Sequence, residues 1–129
     1  MSETDVFGRT DLHYAAGEGD AGSVDEAIAA GADVNLRDRD QMTPLHFAAQ
    51  AHSVDVARAL IGAGAEIDAQ DDNGNTPLST AVFESRGRTE LVALLREHGA
   101  DPSLDNHHGQ SPLGLAKLLG AEQELFPDL

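Results

Sequence analysis

Thr43-Pro44-Leu45-His46-Phe47-Ala48-Ala49 is the stretch on which the fold turns. Thr43 carries the hydroxyl of a good N-cap, and Pro44 then falls at the first helical position, where its missing N–H costs nothing and its fixed φ already suits a helix. Leu45, Ala48 and Ala49 lie at i, i+3 and i+4, one apolar stripe over about two turns, before His52-Ser53 interrupts it. A second stripe, Val54, Ala57, Leu60 and Ile61, runs to Gly64, the residue expected in the left-handed conformation just past a helix end. The stretch predicts a pair of short helices.

Outward from it the same signals return. Thr10-Asp11-Leu12-His13 precedes it by 33 residues, Thr76-Pro77-Leu78-Ser79 follows by 33, and Ser111-Pro112-Leu113-Gly114 comes 35 further on. Small pairs follow the first three (Ala15-Ala16, Ala48-Ala49, Ala81-Val82), and then Gly31-Ala32-Asp33, Gly64-Ala65-Glu66 and Gly99-Ala100-Asp101. One insertion of two residues within 83–88 explains both longer intervals. The stretches 68–75 and 103–110, rich in Asp, Asn and Gly, read as tight hairpin-like turns between the pairs. One pair of short helices cannot bury both of its stripes, so stability must come from stacking neighbours.

Composition removes most other chemistries. The chain of 129 residues is the size of one domain and hides roughly two thirds of its unfolded surface on folding. It has no cysteine, which excludes disulfides, thiolate metal sites and cysteine nucleophiles. Eight Lys and Arg against 23 Asp and Glu give a formal charge of −15, so nucleic acid and anionic membrane are poor partners. The apolar 40% is mostly aliphatic, with 4% aromatics and no Trp, which suits close helix packing. The start, Met1-Ser2-Glu3-Thr4-Asp5, is acidic, and no apolar run approaches the ~20 residues of a membrane span. A cytoplasmic monomer is expected.

The pattern Asp-x-x-Gly-x-Thr-Pro-Leu-His-x-Ala-Ala, followed by Gly-Ala-Asp-Val-Asn, resembles the ankyrin repeat, over about residues 5 to 126. The resemblance implies an all-α solenoid, a stack of about four helix-turn-helix units joined by β-turn or hairpin fingers, with the first helix of each pair lining a concave palm. It divides a single domain, 1–129, into repeats at about 5–37, 38–70, 71–105 and 106–126, the last a capping repeat. Asp11 replaces the usual Pro in repeat one, tolerable because an acid in a first turn complements the helix dipole. Gln41 and His52 stand in repeat two where turn glycines are usual. The start Gly-Arg-Thr-Asp-Leu-His-Tyr-Ala-Ala and the Ala-Val-Phe-x-Ser-Arg-Gly of repeat three also resemble a bacterial group of ankyrin proteins proposed as immunity proteins for polymorphic toxins.

Few residues are candidates for chemistry. His13 and His46, three residues after a capping Thr, can fold back to its hydroxyl or bond the next turn's backbone, and are expected to be structural. Asp105-Asn106-His107-His108 has ligand-type side chains, but adjacent histidines in a turn lack metal-site spacing, so no metal is expected. A metal-dependent hydrolase built on Asp105, His107 and His108 is the last-ranked reading, since no nucleophile, base and orienter can be assembled. Asp33, Asp71 and Asp101 fall at repeat-consensus positions and are assigned to turn bonding or a solvated face. No glycine-rich phosphate loop is present, and neither nucleotide nor other cofactor is implied.

Binding remains, with no reaction catalysed. Positions free of folding duty are the finger residues Arg39, Asp40, Met42, Asp72, Asn73, Asn75, His107, His108 and Gln110, and the palm residues Tyr14, Glu18, Phe47, Gln50, Thr80, Phe83 and Glu84. Met42, Phe47, Tyr14 and Phe83 lead because Met and aromatics are enriched at interface centres, although Tyr14 and Phe47 could equally be packing between inner helices. Arg86 and Arg88, in the insertion, could make a second contact or an internal salt bridge. The expected partner is a protein with a basic patch, steered by the acidic surface; occlusion of a basic toxin is the alternative.

Overall fold

A computed structural model describes residues 3–129. Among them are eight helices and no strand: α1 (Asp11–Gly17), α2 (Ala21–Ala29), α3 (Pro44–Gln50), α4 (Val54–Gly62), α5 (Pro77–Phe83), α6 (Glu90–Glu97), α7 (Pro112–Leu118) and α8 (Glu122–Leu125). The odd-numbered helices pack in one row, α1 on α3, α3 on α5, α5 on α7, while α2, α4 and α6 form a second row. Every first helix begins where a Thr or Ser caps it. Thr76 accepts from the Ser79 N–H at 3.2 Å and Ser111 from the Gly114 N–H at 3.0 Å. The core runs between the rows, with Leu12, Leu45 and Leu78 from the first and Val24, Val56, Leu60, Leu91 and Leu95 from the second fully buried.

One stripe differs from the expectation. In α4 the buried residues are Val56, Ala57 and Leu60, while Val54 and Ile61 are only half-buried. The second-row helix packs on α2 and α6 as well as on α3, so its buried surface is rotated from the stripe that a single neighbour would select.

The fingers are turns without strand pairing. In each, one side chain accepts two backbone N–H groups at i+2 and i+4: Asp5 from Phe7 and Arg9, Asp38 from Asp40 and Met42, Asp71 from Asn73 and Asn75, and Asn106 from His108 and Gln110. A short polar side chain holding its own following backbone is the local reason these stretches turn. Single backbone bonds then join finger to finger, Arg39 N–H to Phe7 O (2.8 Å), Asp72 N–H to Asp40 O (3.0 Å) and His107 N–H to Asn73 O (2.9 Å).

Gln41 and His52 adopt the left-handed φ of the glycines they replace, 61° and 50°, so repeat two keeps its turns at the cost of local strain. The insertion lengthens the link between α5 and α6 to residues 84–89, against 51–53 between α3 and α4. Arg88 closes it by donating to the Ser85 and Glu84 carbonyls at 3.0 Å each, and among the described residues it makes no salt bridge.

Candidate binding surface

Each first-helix histidine is consumed by the fold. The Thr43 N–H donates to His46 Nδ1 at 3.1 Å, the Thr43 hydroxyl lies 3.0 Å from the same nitrogen, and Nε2 sits 2.9 Å from the Asn75 carbonyl. A carbonyl only accepts, so Nε2 carries the proton and Nδ1 is the acceptor. His13 repeats this with Thr10 and with the Leu36 carbonyl at 2.9 Å. Both rings are fully buried, and burial pushes both pKa values down, against the raising effect of those carbonyls. Each neutral ring thus ties a helix start to the following finger.

Beside them lies a groove of about 490 Å³ between the fingers and the inner helices. It gathers eight of the residues singled out from the sequence: Met42, Gln50, Asn73, Asn75, Thr80, Phe83, Glu84 and Gln110. Phe83 is 64% exposed at the end of α5. Arg39, Asp40, Asp72, His107 and His108 stand exposed at the fingertips. Asp105 is exposed too, and among the described residues no group of three or more His, Asp or Glu is placed to hold a metal ion.

The opposite end of the palm is arranged differently. Arg9, which the sequence reading passed over, points its guanidinium at three rings, with its central carbon 4.9 Å from the centroid of Phe7, 5.9 Å from Tyr14 and 5.2 Å from Phe47. Its Nε donates to the buried carboxylate of Asp38 at 3.1 Å, which holds the guanidinium more firmly protonated than usual, and Asp40 lies 3.9 Å away. The Tyr14 hydroxyl donates to Asp5, lowering the carboxyl's pKa and raising its own. Tyr14 and Glu18 border a separate depression with Asp11 and Glu26.

Phe47 is 8% exposed, set edge-on to His13 at 5.4 Å and against Gly17. It packs beneath the surface between inner helices, the second of the two readings open for it in the sequence, and does not stand as an exposed anchor. Leu115, Leu118 and Leu119 were missed. Leu115 lines the groove, and Leu118 and Leu119 are 75% and 50% exposed. The 35-residue offset that carries Thr76 to Ser111 carries Thr80, Phe83 and Glu84 to these three leucines, so the signal was present in the register.

A fold of stacked helix pairs with side-chain-capped turns, and a palm that faces solvent, defines a repeat scaffold. The family model for ankyrin repeats, in three copies, matches residues 12–106, and the chain belongs to the ankyrin-repeat family. Such repeats are generally protein–protein interaction modules. A search of curated proteins found no match. Among the described residues no helix is long and apolar enough to cross a membrane.

Proposed function

We propose that this chain is a single ankyrin domain, with repeats at about 5–37, 38–70, 71–105 and a capping repeat at 106–126, that holds a protein partner against its palm and fingers without catalysing a reaction. The observation that carries it is the groove itself: Met42, Phe83, Asn73, Gln110 and Glu84 converge there from three repeats. The formal charge of −15 supports a partner with a basic patch, gathered by steering. Occlusion of a basic toxin is one instance of the same chemistry, and a monomer working in the cytoplasm suits it.

Association kinetics with the partner isolated from native lysate test this. Asp40→Lys with Asp72→Lys should slow association and flatten its salt dependence, while Phe83→Ala should speed dissociation. An association rate unchanged by the charge reversal, over about a tenfold range of salt, would remove the electrostatic part of this reading.

A further inference from the structure

The palm changes character along the stack. The last residue of each first helix runs Gly17, Gln50, Phe83, Leu118, and the residue three before it runs Tyr14, Phe47, Thr80, Leu115. At the first-repeat end the aromatic residues already have partners: Phe47 is buried, Tyr14, 40% exposed, is bonded to Asp5, and Arg9 lies over the rings of both and of Phe7, which is 53% exposed. At the other end Phe83 and Leu118 are 64% and 75% exposed on neighbouring helices, with Leu115 lining the groove between the fingers and the inner helices.

Charge divides the same way. Arg9 offsets Asp38 and Asp40, and Arg37 pairs with Glu66 at 3.4 Å. Residues 59–85 and 97–116 hold no Lys or Arg, and among the described residues Asp71, Asp72, Glu84 and Asp105 have no ion-pair partner. Arg88 is turned to carbonyls of its own loop, and the cations nearest in sequence to these carboxylates are the exposed Arg86 of that loop and Lys117, next to Leu118. Exposed Phe83 and Leu118, on neighbouring helices with half-buried Leu115 between fingers and inner helices, and the unpaired carboxylates of Asp71 and Glu84 lining the same groove as Phe83 and Leu115, are together complementary to apolar side chains flanked by positive charge.

We infer that the strip formed by Phe83, Leu115 and Leu118 is the energetic centre of the palm, and that it takes a partner segment presenting large aliphatic or aromatic side chains flanked by Lys or Arg. This rests on the reading of the palm as a protein-binding surface and names where on it, and by what chemistry, the partner is held. The uneven distribution of binding energy across an interface makes such a centre the expected arrangement.

The test uses short synthetic peptides in which leucine at helical spacing alternates with lysine, with glutamate in place of lysine, or in which serine replaces the leucine. Amide resonances of the full chain report where each binds. The leucine–lysine peptide should shift Thr80, Phe83, Leu115 and Leu118, and the other two should bind weakly or not at all. Phe83→Ser with Leu118→Ser should weaken binding by about tenfold or more and leave the thermal melt unchanged, because both side chains are solvent-exposed. Shifts confined to Tyr14 and Glu18 would overturn this placement and spare the palm reading, whereas shifts confined to α2, α4 and α6 would overturn both. Equal binding of the glutamate peptide would refute the charge requirement, and equal binding of the serine–lysine peptide would refute the anchors. Self-association that the double variant abolishes in equilibrium sedimentation would assign the strip to a second copy of the chain and overturn the proposed partner.

Discussion

Gly74 and Gly99 both have positive φ, 80° and 90°, yet they do different work. A Cβ on Gly74 would meet the His107 backbone nitrogen at 2.8 Å, because the next finger crosses it there, while one on Gly99 would meet nothing within 4 Å. Gly99→Ala therefore costs only the left-handed strain of about 1–2 kcal/mol, and Gly74→Ala should cost clearly more. Urea melts of the two variants should rank them in that order. Leu45, 1% exposed at the centre of the stack, should lose about 2–5 kcal/mol on truncation to Ala, whereas Asn73→Ala at a fingertip should stay within about 0.5 kcal/mol. Equal midpoints for that pair would contradict the repeat register. The buried histidines set a pH dependence. Burial lowers the pKa of His13, His46 and His52 from the ordinary 6.5, so the unfolded chain takes up protons first as pH falls. Their contribution is complete above that value and is lost below it. The urea midpoint should drop between about pH 7.5 and about pH 5.5, before the carboxylates titrate; a flat profile would mean these rings are solvated.

At the scale of the element, the finger is a turn built by one side chain. Asp38 holds the Asp40 and Met42 N–H groups at 2.9 Å each and also accepts from Arg9, so it joins a local turn to the preceding repeat. Asn106 builds the fourth finger with the same two bonds and no charge. Asp38→Asn should therefore keep the turn and lose only the ion pair, while Asp38→Ala loses both bonds and leaves Arg9 without its buried partner, costing about 2 kcal/mol or more. Thermal melts that ranked Asn as poorly as Ala would show that the charge, rather than the turn, is what matters. The helices themselves are seven to nine residues long in the first three pairs, too short to persist alone in water. Their caps and prolines specify where they start, and neighbours supply the stability.

For the whole molecule the same reasoning predicts independence from metal. The stack is closed by hydrogen-bonded fingers and an aliphatic core, and no metal-ligand spacing occurs in the sequence. Helical ellipticity and melting temperature should be unchanged by EDTA; a large loss of either would require a metal in the folded state. The excess of acid is spread unevenly over this framework. Most cations sit on the first two fingers, in the insertion and on the second row of helices, where Arg96 pairs with Asp128 at 2.8 Å, with Lys117 on α7 besides. Asp72 and Asp105 at the fingertips are left to solvent, and to whatever binds there.

The repeat period determined the architecture, since a Thr or Ser cap followed two residues later by Leu, every 33 to 35 residues, places a helix start, an apolar stripe and a turn glycine at known positions, and nothing but stacking can bury those stripes. The same register pointed to Met42, Asn75, Thr80, Phe83 and Gln110, which all line the groove, although only Phe83 is exposed, Met42 packs partly on the core and the Asn75 side chain accepts from Asn106. What the tertiary structure alone decided is which aromatic is covered. Phe47 and Tyr14 hold the same position in their inner helices, but Phe47 has His13 and Gly17 from the preceding helix closing over it, while Tyr14, on the first helix of the stack, stays 40% exposed. Burial of a palm side chain depends on the size and direction of residues one repeat away, a contact that periodicity places nearby but does not shape. The division of labour between Arg9 and the unpaired carboxylates arose the same way, from distances between fingers that no spacing along the chain expresses.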